Sequence, residues 1–372
     1  MSIKYNGGYL PTVGADGTTL VANSSASTGM SWQGNTAAGK NAVINGGMDI
    51  WARGTSVAVA ASTTAYTTDR WCINTGANEA YTISRQATGD TTNLPNIQYA
   101  ARCQRNSGQT GTSVVFFAQS FETINSIPFV GKTVTYSFYA RAGANYSAAS
   151  NALAFYVTYG TGTDQNLLTG YTGNTSFINS SATLTTTWQR FTYSATVPTT
   201  ATELAVSFAM TPTGTAGAND YFEVTGVQLE LGSVATAFSR AQGTLQGELN
   251  ACQRYYYRAN IDGDFASAFF SGNTRLAGAI NLPVKMRTNP TTSTSISAFT
   301  TGTPTGTQIA ANRYYTGNLA GTYSASGLAF YNNEINGYLY TDGWTSPVTG
   351  IPYGLYGATP NNGLYWDASA EL

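Results

Sequence analysis

The stretch that indicates the fold lies at residues 133–142 and reads TVTYSFYARA. Val134, Tyr136 and Phe138 occupy alternate positions, and the residues between the first two and the last two are the polar Thr and Ser. Successive side chains of a β-strand point to opposite faces of the sheet. An apolar residue at every second position therefore predicts a strand with one buried face.

Runs of the same kind recur on both sides of this stretch. Short alternating or apolar segments, separated by Gly, Asn, Ser and Pro clusters, fill residues 41–240. They include SVAVAAS, AYTISRQ, TSVVFFAQSF, ALAFYVTYG, WQRFTYSATV, ELAVSFAM and YFEVTGVQLEL. About eight strands joined by long polar loops are typical of a jelly-roll β-sandwich. The predicted fold class is thus all-β, with a jelly roll over residues 41–240.

Three further segments flank the predicted sandwich. Residues 1–40 show no apolar period apart from a short β-prone TTLVA, which predicts an extended N-terminal arm, either partly disordered or ordered against a partner. Residues 241–253 place Leu245 and Leu249 at helical spacing, which predicts a short helical or turn linker. Residues 254–372 contain more strand-like runs, so we expect a second, C-terminal β domain with a loop-rich tip.

The composition excludes several classes of function. The chain has 372 residues, no histidine, and 9% charged residues, whereas a soluble domain has about 25%. Without histidine there is no Ser-His-Asp triad, no Cys-His pair and no His-ligated zinc. A net charge of −1 gives no broad field for nucleic acid, and the apolar runs are far shorter than the about 20 residues that span a bilayer. We therefore expect a non-enzymatic surface suited to hydrogen bonding and stacking, without nucleic-acid or membrane partners.

The cysteines and tryptophans are expected to be core residues. Cys72, Cys103 and Cys252 are widely spaced and form no CxxC pair, which favours buried free thiols over a Cys72–Cys103 disulfide across the sandwich. Three tryptophans stand in strand-like contexts that favour burial, namely Trp51, Trp71 and Trp188. The first residues lack an apolar signal core, so no secretory signal is expected.

A series of motifs carries a family resemblance. The motifs are NAVINGGMDIWARGTS at 41–56, TDRW at 68–71, GKTVTYSFYARA at 131–142, WQRFTYSATVP at 188–198, FEVTGVQLELGSVATAFSR at 222–240 and ELNACQRYYYR at 248–258. As a set they resemble the carbohydrate-binding-module-like jelly rolls of bacteriophage tail fibres and receptor-binding minor tail proteins. The resemblance covers most of the chain.

The resemblance implies a function in the virion. A tail fibre protein of this kind would mediate adsorption to the host surface through multivalent glycan or receptor binding. It would be made in the bacterial host cytoplasm, form a homotrimer, and attach to other tail or virion proteins through the arm at residues 1–40. Two alternatives remain open: a purely architectural virion protein, such as a head fibre, decoration protein or tail adaptor, and a tail polysaccharide depolymerase.

The resemblance also implies particular acidic residues. Many modules of this shape hold a structural calcium ion between their early and closing strands, and Asp49, Asp220 and Glu230 lie in comparable stretches.

A depolymerase would need two carboxylates about 5–10 Å apart. Asp262 and Asp264 in IDGDF are candidates for that pair, although DGD in a Gly-rich stretch is usually a solvated turn.

The strongest candidates for ligand contact are aromatic residues near the C-terminus. Seven of them stand among Gly, Asn and Asp, namely Tyr338, Tyr340, Trp344, Tyr353, Tyr356, Tyr365 and Trp366. Tyrosines in such loops give binding surfaces contact area at a low entropy cost. We expect these rings to contact a host glycan or receptor; packing in a trimer interface or a small core is the alternative.

Overall fold

The computed structural model describes most of the chain, with side chains for the larger part and backbone alone for several strands. The described residues are 4–5, 8–9, 18–22, 29–34, 39–77, 79–94, 96–260, 264–271, 275–295, 298–300, 308–313, 317–318, 328–332, 336–341, 353–357 and 365–372. Side chains are described for 20, 22, 29–31, 39–77, 79–94, 96–260, 281–293, 295 and 365–372. The chain divides into two compact units, Met1–Leu249 with Leu372, and Asn250–Glu371.

The first unit begins with two short antiparallel hairpins inside the segment predicted as an arm. Their strands are β1 (Lys4–Tyr5), β2 (Gly8–Tyr9), β3 (Thr18–Ala22) and β4 (Met30–Gly34). β1 pairs with β2, and β3 pairs with β4. The TTLVA run noted in the sequence is β3.

Twelve further strands of this unit form two sheets. They are β5 (Ser56–Val59), β6 (Thr64–Tyr66), β7 (Cys72–Asn74), β8 (Tyr81–Ala87), β9 (Tyr99–Arg105), β10 (Val115–Ser120), β11 (Thr133–Ala142), β12 (Ala152–Gly160), β13 (Thr175–Thr183), β14 (Gln189–Thr196), β15 (Glu203–Met210) and β16 (Tyr221–Leu231). One turn of α-helix, α1 (Thr123–Ser126), is followed by a 3₁₀ turn (Ile127–Phe129), and a second 3₁₀ turn is Ala149–Asn151.

The two sheets have six strands each and are antiparallel throughout. The front sheet has the order β13-β12-β15-β10-β7-β6, and the back sheet has the order β14-β11-β16-β9-β8-β5. Apolar residues of both sheets form one core cluster between them. The predicted jelly-roll β-sandwich is therefore confirmed.

The core follows the period-two pattern of the sequence. The inward residues of β11 are fully buried, namely Val134, Tyr136, Phe138 and Ala140. The polar Thr135 and Ser137 on the opposite face are buried as well, because the segment after β16 covers them. The Thr135 hydroxyl donates to the Gly232 carbonyl at 2.8 Å. The outer face of the back sheet is thus partly covered by the chain's own closing segment.

The predicted core aromatics and thiols are in place. The Trp71 ring stacks on Phe117 with centroids 4.9 Å apart. Trp51 and Trp188 are buried too. All three cysteines are buried and free, which confirms the expectation of free thiols.

Residues 41–47, which end in the Asn-Gly-Gly motif at 45–47, tie the beginning of the sandwich to its closing strand. The Asn41 side chain donates to the carbonyls of Val227 and Ser239, both at 3.0 Å. Asn45 stands at φ 56°, a left-handed conformation that asparagine tolerates better than most residues. A Cβ atom on Gly46 would lie 2.1 Å from the Val227 carbonyl oxygen, so only glycine fits there. Within the sandwich, these residues therefore have a structural role.

The second unit is also β-rich. The short helix α2 (Leu245–Gln253) lies in the segment predicted as a helical or turn linker, and the division between the two units falls within it. The strands of the second unit are β17 (Tyr256–Asn260), β18 (Asp264–Ser271), β19 (Arg275–Asn281), β20 (Thr291–Thr294), β21 (Ala298–Thr300), β22 (Gln308–Arg313), β23 (Gly317–Asn318), β24 (Leu328–Asn332), β25 (Asn336–Thr341), β26 (Tyr353–Gly357) and β27 (Tyr365–Ser369).

These strands form a small sheet and a large one. The small sheet has the order β17-β27-β20, and the large sheet has the order β21-β22-β26-β18-β19-β25-β24, with β23 paired to β22. β21 and β22 run parallel, and the other pairs of this unit are antiparallel. A second β domain is thus present. No helix in the described part of the chain is long and apolar enough to cross a membrane.

Candidate functional site

The outer face of the front sheet carries a row of aromatic and hydroxyl side chains. Phe117, Phe155 and Phe208 point inward into the core. Because side chains alternate along a strand, the neighbouring Phe116 and Tyr156 point outward, and both are half-buried. They belong to β10 and β12, which lie on either side of β15.

A cleft of about 450 Å³ lies over this face. Its lining comes from β7, β10, β15, β12 and β13 and from the loop between β12 and β13, and consists of Asn74, Phe116, Tyr156, Thr158, Leu167, Leu168, Asn174, Ser176 and Ser207. None of these nine residues carries a charge. The cleft therefore offers rings, hydroxyls and amides, and no fixed ionic group.

Two features of the floor determine what the cleft can contact. The Phe116 and Tyr156 rings have centroids 6.5 Å apart and planes inclined at 43°, so they present two flat apolar surfaces side by side. Between the strands, the hydroxyls of Thr158 and Ser176 are 2.8 Å apart. Such a floor can stack against apolar ring faces and exchange hydrogen bonds with hydroxyl groups.

Asn166 holds the wall formed by the loop between β12 and β13. Its side-chain amide donates to the Tyr66 hydroxyl at 2.9 Å and to the Leu372 carbonyl at 3.1 Å. Its side-chain oxygen accepts the Leu168 N–H at 2.8 Å. The Leu167 N–H donates to the Ser120 hydroxyl at 2.9 Å. The two leucines that line the cleft are thus fixed by hydrogen bonds on both sides of the loop.

Glu203 fixes the base of the same loop. The residue is buried, and its carboxylate accepts the Gln165 N–H at 2.9 Å. Burial raises the pKa of this carboxyl group, against the opposing effect of its backbone hydrogen bonds. Cβ atoms on Gly160 and Gly162 would lie 2.6 Å and 2.8 Å from the Glu203 carboxylate. The glycines thus allow the loop to pack closely on the carboxylate.

The three acidic residues named for calcium each contact a different partner, and their calcium role stays a prediction. Asp49 accepts from Arg240 at 2.8 Å. Asp220 binds Arg105 at 3.2 Å, and Glu230 accepts the Thr236 hydroxyl at 2.7 Å. Each of the three carboxylates thus has a donor of its own. Among the residues that the structure describes, no three His, Cys, Asp or Glu side chains group as metal ligands.

The predicted C-terminal aromatic residues are spread over several elements. Tyr338 and Tyr340 belong to β25, and Tyr353 and Tyr356 belong to β26. These two strands are separated by β18 and β19 in the large sheet. Trp344 lies outside the described residues, as does Asp262 of the predicted carboxylate pair, and of Asp264 only the backbone in β18 is described. The glycan-contact role of these residues stays a prediction.

The side chains of the last two of the seven, Tyr365 and Trp366, have surroundings that the structure describes. Trp366 is fully buried, so its ring is not available to a ligand in this structure. The half-buried Tyr365 ring lies 4.0 Å from the Arg258 guanidinium carbon. Arg258 in turn contacts Asp367 at 2.7 Å. A packing role fits these two aromatics in β27 better than the predicted contact role.

The front-sheet cleft did not follow from the sequence. Its signal is the pair of adjacent aromatic residues in two strands, Phe116 next to Phe117 and Phe155 next to Tyr156. In a half-buried strand one residue of such a pair must face outward. Two strands that each place a ring on the outer face are therefore the sequence signal that could have indicated this cleft.

Comparison with known proteins gives only partial likenesses. No protein-family model matches the chain, and no curated protein matches it. Carbohydrate-binding modules from the β-sandwich superfamily are 14% identical at a TM-score of 0.31, over 44% of this chain and 58% of theirs. A family 16 carbohydrate-binding module is 12% identical at a TM-score of 0.25, over 40% of this chain and 85% of the module.

A phage protein is among the partial likenesses. The enzymatically active domain of tailspike protein 4 from bacteriophage CBA120 is 13% identical at a TM-score of 0.30. The match covers 52% of this chain and 21% of the tailspike chain. The identities and TM-scores of all these likenesses are low, and no conclusion about binding or catalysis follows from them.

Proposed function

We propose that this chain is a glycan-binding protein and that the front-sheet cleft is its binding site. The observation that carries the proposal is the outward pair Phe116 and Tyr156, with ring centroids 6.5 Å apart, beside small hydroxyl residues of the same floor. Sugars present apolar C–H faces that stack on aromatic rings and hydroxyls that pair with Ser, Thr and Asn side chains.

The size and rigidity of the cleft support the same role. Its volume of about 450 Å³ lies within the range of about 300–1,000 Å³ common to small-molecule sites. The wall is fixed by Asn166 before any ligand arrives, so little conformational entropy is lost on binding. The proposed role is binding and not hydrolysis, because no carboxylate pair lines the cleft.

We further propose that the chain acts in the tail of a bacteriophage virion and serves adsorption to the host surface. This part rests on the motif series, in which the Asn-Gly-Gly-x-x-x-Trp opening, the Trp-Gln-Arg strand and the Val-Gln-Leu-Glu closing strand carry the resemblance. The arm at residues 1–40 would attach to other tail proteins, and residues 254–372 would face the host. Individual sugar contacts are weak, so a homotrimer would gain avidity from several clefts.

Glycan binding is tested with the purified full chain on an array that includes bacterial surface polysaccharides. Phe116→Ala and Tyr156→Ala should each weaken binding at least about tenfold, which corresponds to about 1.4 kcal/mol. Tyr99→Ala is the matched control, because Tyr99 is a half-buried aromatic on the back sheet, away from the cleft. Absence of binding by the assembled protein would favour the architectural alternative, and equal binding by all variants would place the glycan site outside the cleft.

The location in the virion needs a separate experiment. Gold-labelled antibody against the chain, viewed on phage particles by electron microscopy, should mark the tail. Label on the head, or no label on particles, would contradict the tail proposal and leave the glycan result unaffected.

A further inference from the structure

The front sheet ends on one side in a long strand that has a register shift near its beginning and, within the described part of the chain, no further edge protection. β13 and β14, the edges on one side of the sandwich, have nine and eight residues. β5 and β6, the edges on the other side, have four and three. Proteins protect exposed edges by short strands, charges, proline or a covering segment. The shortness of β5 and β6 is such a protection, and β13 lacks it.

β14 is protected in two other ways. It carries the charged Arg190, whose guanidinium donates to the Thr236 carbonyl. The Ser194 hydroxyl donates to the Ser233 carbonyl at 3.1 Å. The segment after β16 thus reaches β14 from the outer face of the back sheet.

β13 has neither charge nor proline, and its sequence is TSFINSSAT. In the described part of the chain its backbone hydrogen bonds run to β12 alone, and its side chains bond only to Thr158 and Gly173. A register shift opposite Val157 and Thr158 disturbs the beginning of the strand. Residues 178–183 pair regularly with β12, so their outer edge is a straight row of backbone donors and acceptors.

We propose that two copies of this chain join through residues 179–183 of β13, in an antiparallel pair centred on Ser181 that makes one sheet of the two front sheets. The strand that pairs with this edge is β13 of a second copy of the chain. Because β13 has no charged residue, pairing it with an identical strand brings no like charges together. The exposed side chains of this segment are Asn179, Ser181 and Thr183, and cross-strand pairs of hydroxyl residues stabilise antiparallel strands. A strongly acidic or basic partner strand would find no opposite charge here.

The contact has a consequence for the cleft. Identical antiparallel strands are related by a two-fold axis perpendicular to the sheet, which makes the interface isologous. Both clefts then open on the same face of the joined sheet, next to each other, because β13 also supplies Ser176 to the cleft. A pair of clefts on one face would bind a repeating glycan with avidity. This consequence rests on the proposed function, whereas the contact itself does not.

The full chain tests the contact by its mass in solution. Sedimentation and light scattering at micromolar concentration should give an even number of 39.2 kDa chains, a dimer or, if a trimer also forms elsewhere, a hexamer. Ser181→Lys should raise the dissociation constant of the pair at least about tenfold through repulsion across the axis. Thr192→Lys, at an exposed position of β14, is the matched control and should leave the mass unchanged.

A covalent trap gives a second measurement. Ser181→Cys should form disulfide-linked pairs under mild oxidation, and Thr192→Cys should not; the three native cysteines are buried and free. A monomer or a bare trimer, or an assembly that Ser181→Lys leaves intact, would overturn the proposal. Glycan binding by Ser181→Lys on the array separates the contact proposal from the glycan-binding proposal. If the cleft is the glycan site, the variant still binds glycan through a single cleft after the contact is lost. A cleft that fails to bind leaves the mass result standing.

Discussion

The Glu248 carboxylate accepts the backbone N–H of Asn45, 203 residues earlier in the chain. It also accepts the Gln242 N–H at 3.1 Å. Glu248 belongs to α2 and is buried. The first motif of the sandwich and the helix that follows the sandwich are thus held by one side chain. The two ends of the motif series in the sequence meet at this point in the fold.

Removal of this acceptor should destabilise the first unit. Glu248→Ala leaves the buried Asn45 N–H and the part-buried Gln242 N–H without their partner, which costs about 1–3 kcal/mol. Glu248→Gln keeps one acceptor oxygen and should cost less than half as much. Chemical denaturation followed by tryptophan fluorescence measures both. Equal stability of Glu248→Ala and the parent protein would mean that water replaces the carboxylate and that the contact does not stabilise the fold.

Gly46 provides a steric test of the same motif. Gly46→Ala places a Cβ atom 2.1 Å from the Val227 carbonyl oxygen, so the closing strand must move away. The Val227 N–H donates to the Gly46 carbonyl at 2.9 Å, and this bond is strained by the same movement. We expect a loss of more than about 3 kcal/mol, in the range of severe backbone effects. A melting temperature within a few degrees of the parent value would show that the strand yields easily.

A buried carboxylate makes the stability of the sandwich depend on pH. Glu79 is buried, and no described residue donates a hydrogen bond to its carboxylate; the nearest cation is Arg105, with Nε 3.6 Å away. Burial raises the pKa of Glu79 to about 7, against the opposing attraction of Arg105. A raised pKa means that the folded state binds the proton more tightly. Its contribution to stability is full below the usual value of 4.5 and is lost as pH rises to about 7.

Glu79→Gln removes this loss, so its stability relative to the parent protein should increase as pH rises through that range. Denaturation midpoints at acidic and slightly alkaline pH give the difference. Asp90→Asn is the control, because hydrogen bonds from Asn93 lower the pKa of Asp90 and place its titration below this range. A Glu79→Gln difference that is constant with pH would show that Arg105 keeps Glu79 ionised throughout.

The parts of the fold that sequence reasoning found are those written in local patterns. The alternation of apolar and polar residues predicted the strand at 133–142, and the helical spacing of two leucines predicted the helix that is α2. The burial of Trp71 followed from its apolar neighbours. These features depend on residues close to one another in the chain, which the period of a strand or helix relates directly.

The cleft and the acidic residues depend on pairing between distant strands. Asn74 and Ser207 come together because β7 and β15 both pair with β10, and this order is not encoded in any local period. Asp220 was expected to bind calcium, and the register brings Arg105 to it. The sequence around a carboxylate does not show which positively charged side chain the pairing of distant strands will bring next to it.

Glycan binding in the cleft should depend little on pH and on salt concentration. The nine lining residues include no carboxylate, amine or guanidinium, and the chain has no histidine. Glycan affinity should therefore stay constant between about pH 5 and about pH 8, where histidine is the usual titrating group. It should also be insensitive to ionic strength, because salt screens charges and leaves stacking unchanged. Calorimetric titration with a glycan identified on the array measures both dependences.

Tyr156→Phe, which keeps the ring and removes the hydroxyl, should retain most of the affinity that Tyr156→Ala loses. A steep salt dependence, or equal losses in Tyr156→Phe and Tyr156→Ala, would place the binding energy in charged or hydroxyl contacts and contradict stacking in this cleft.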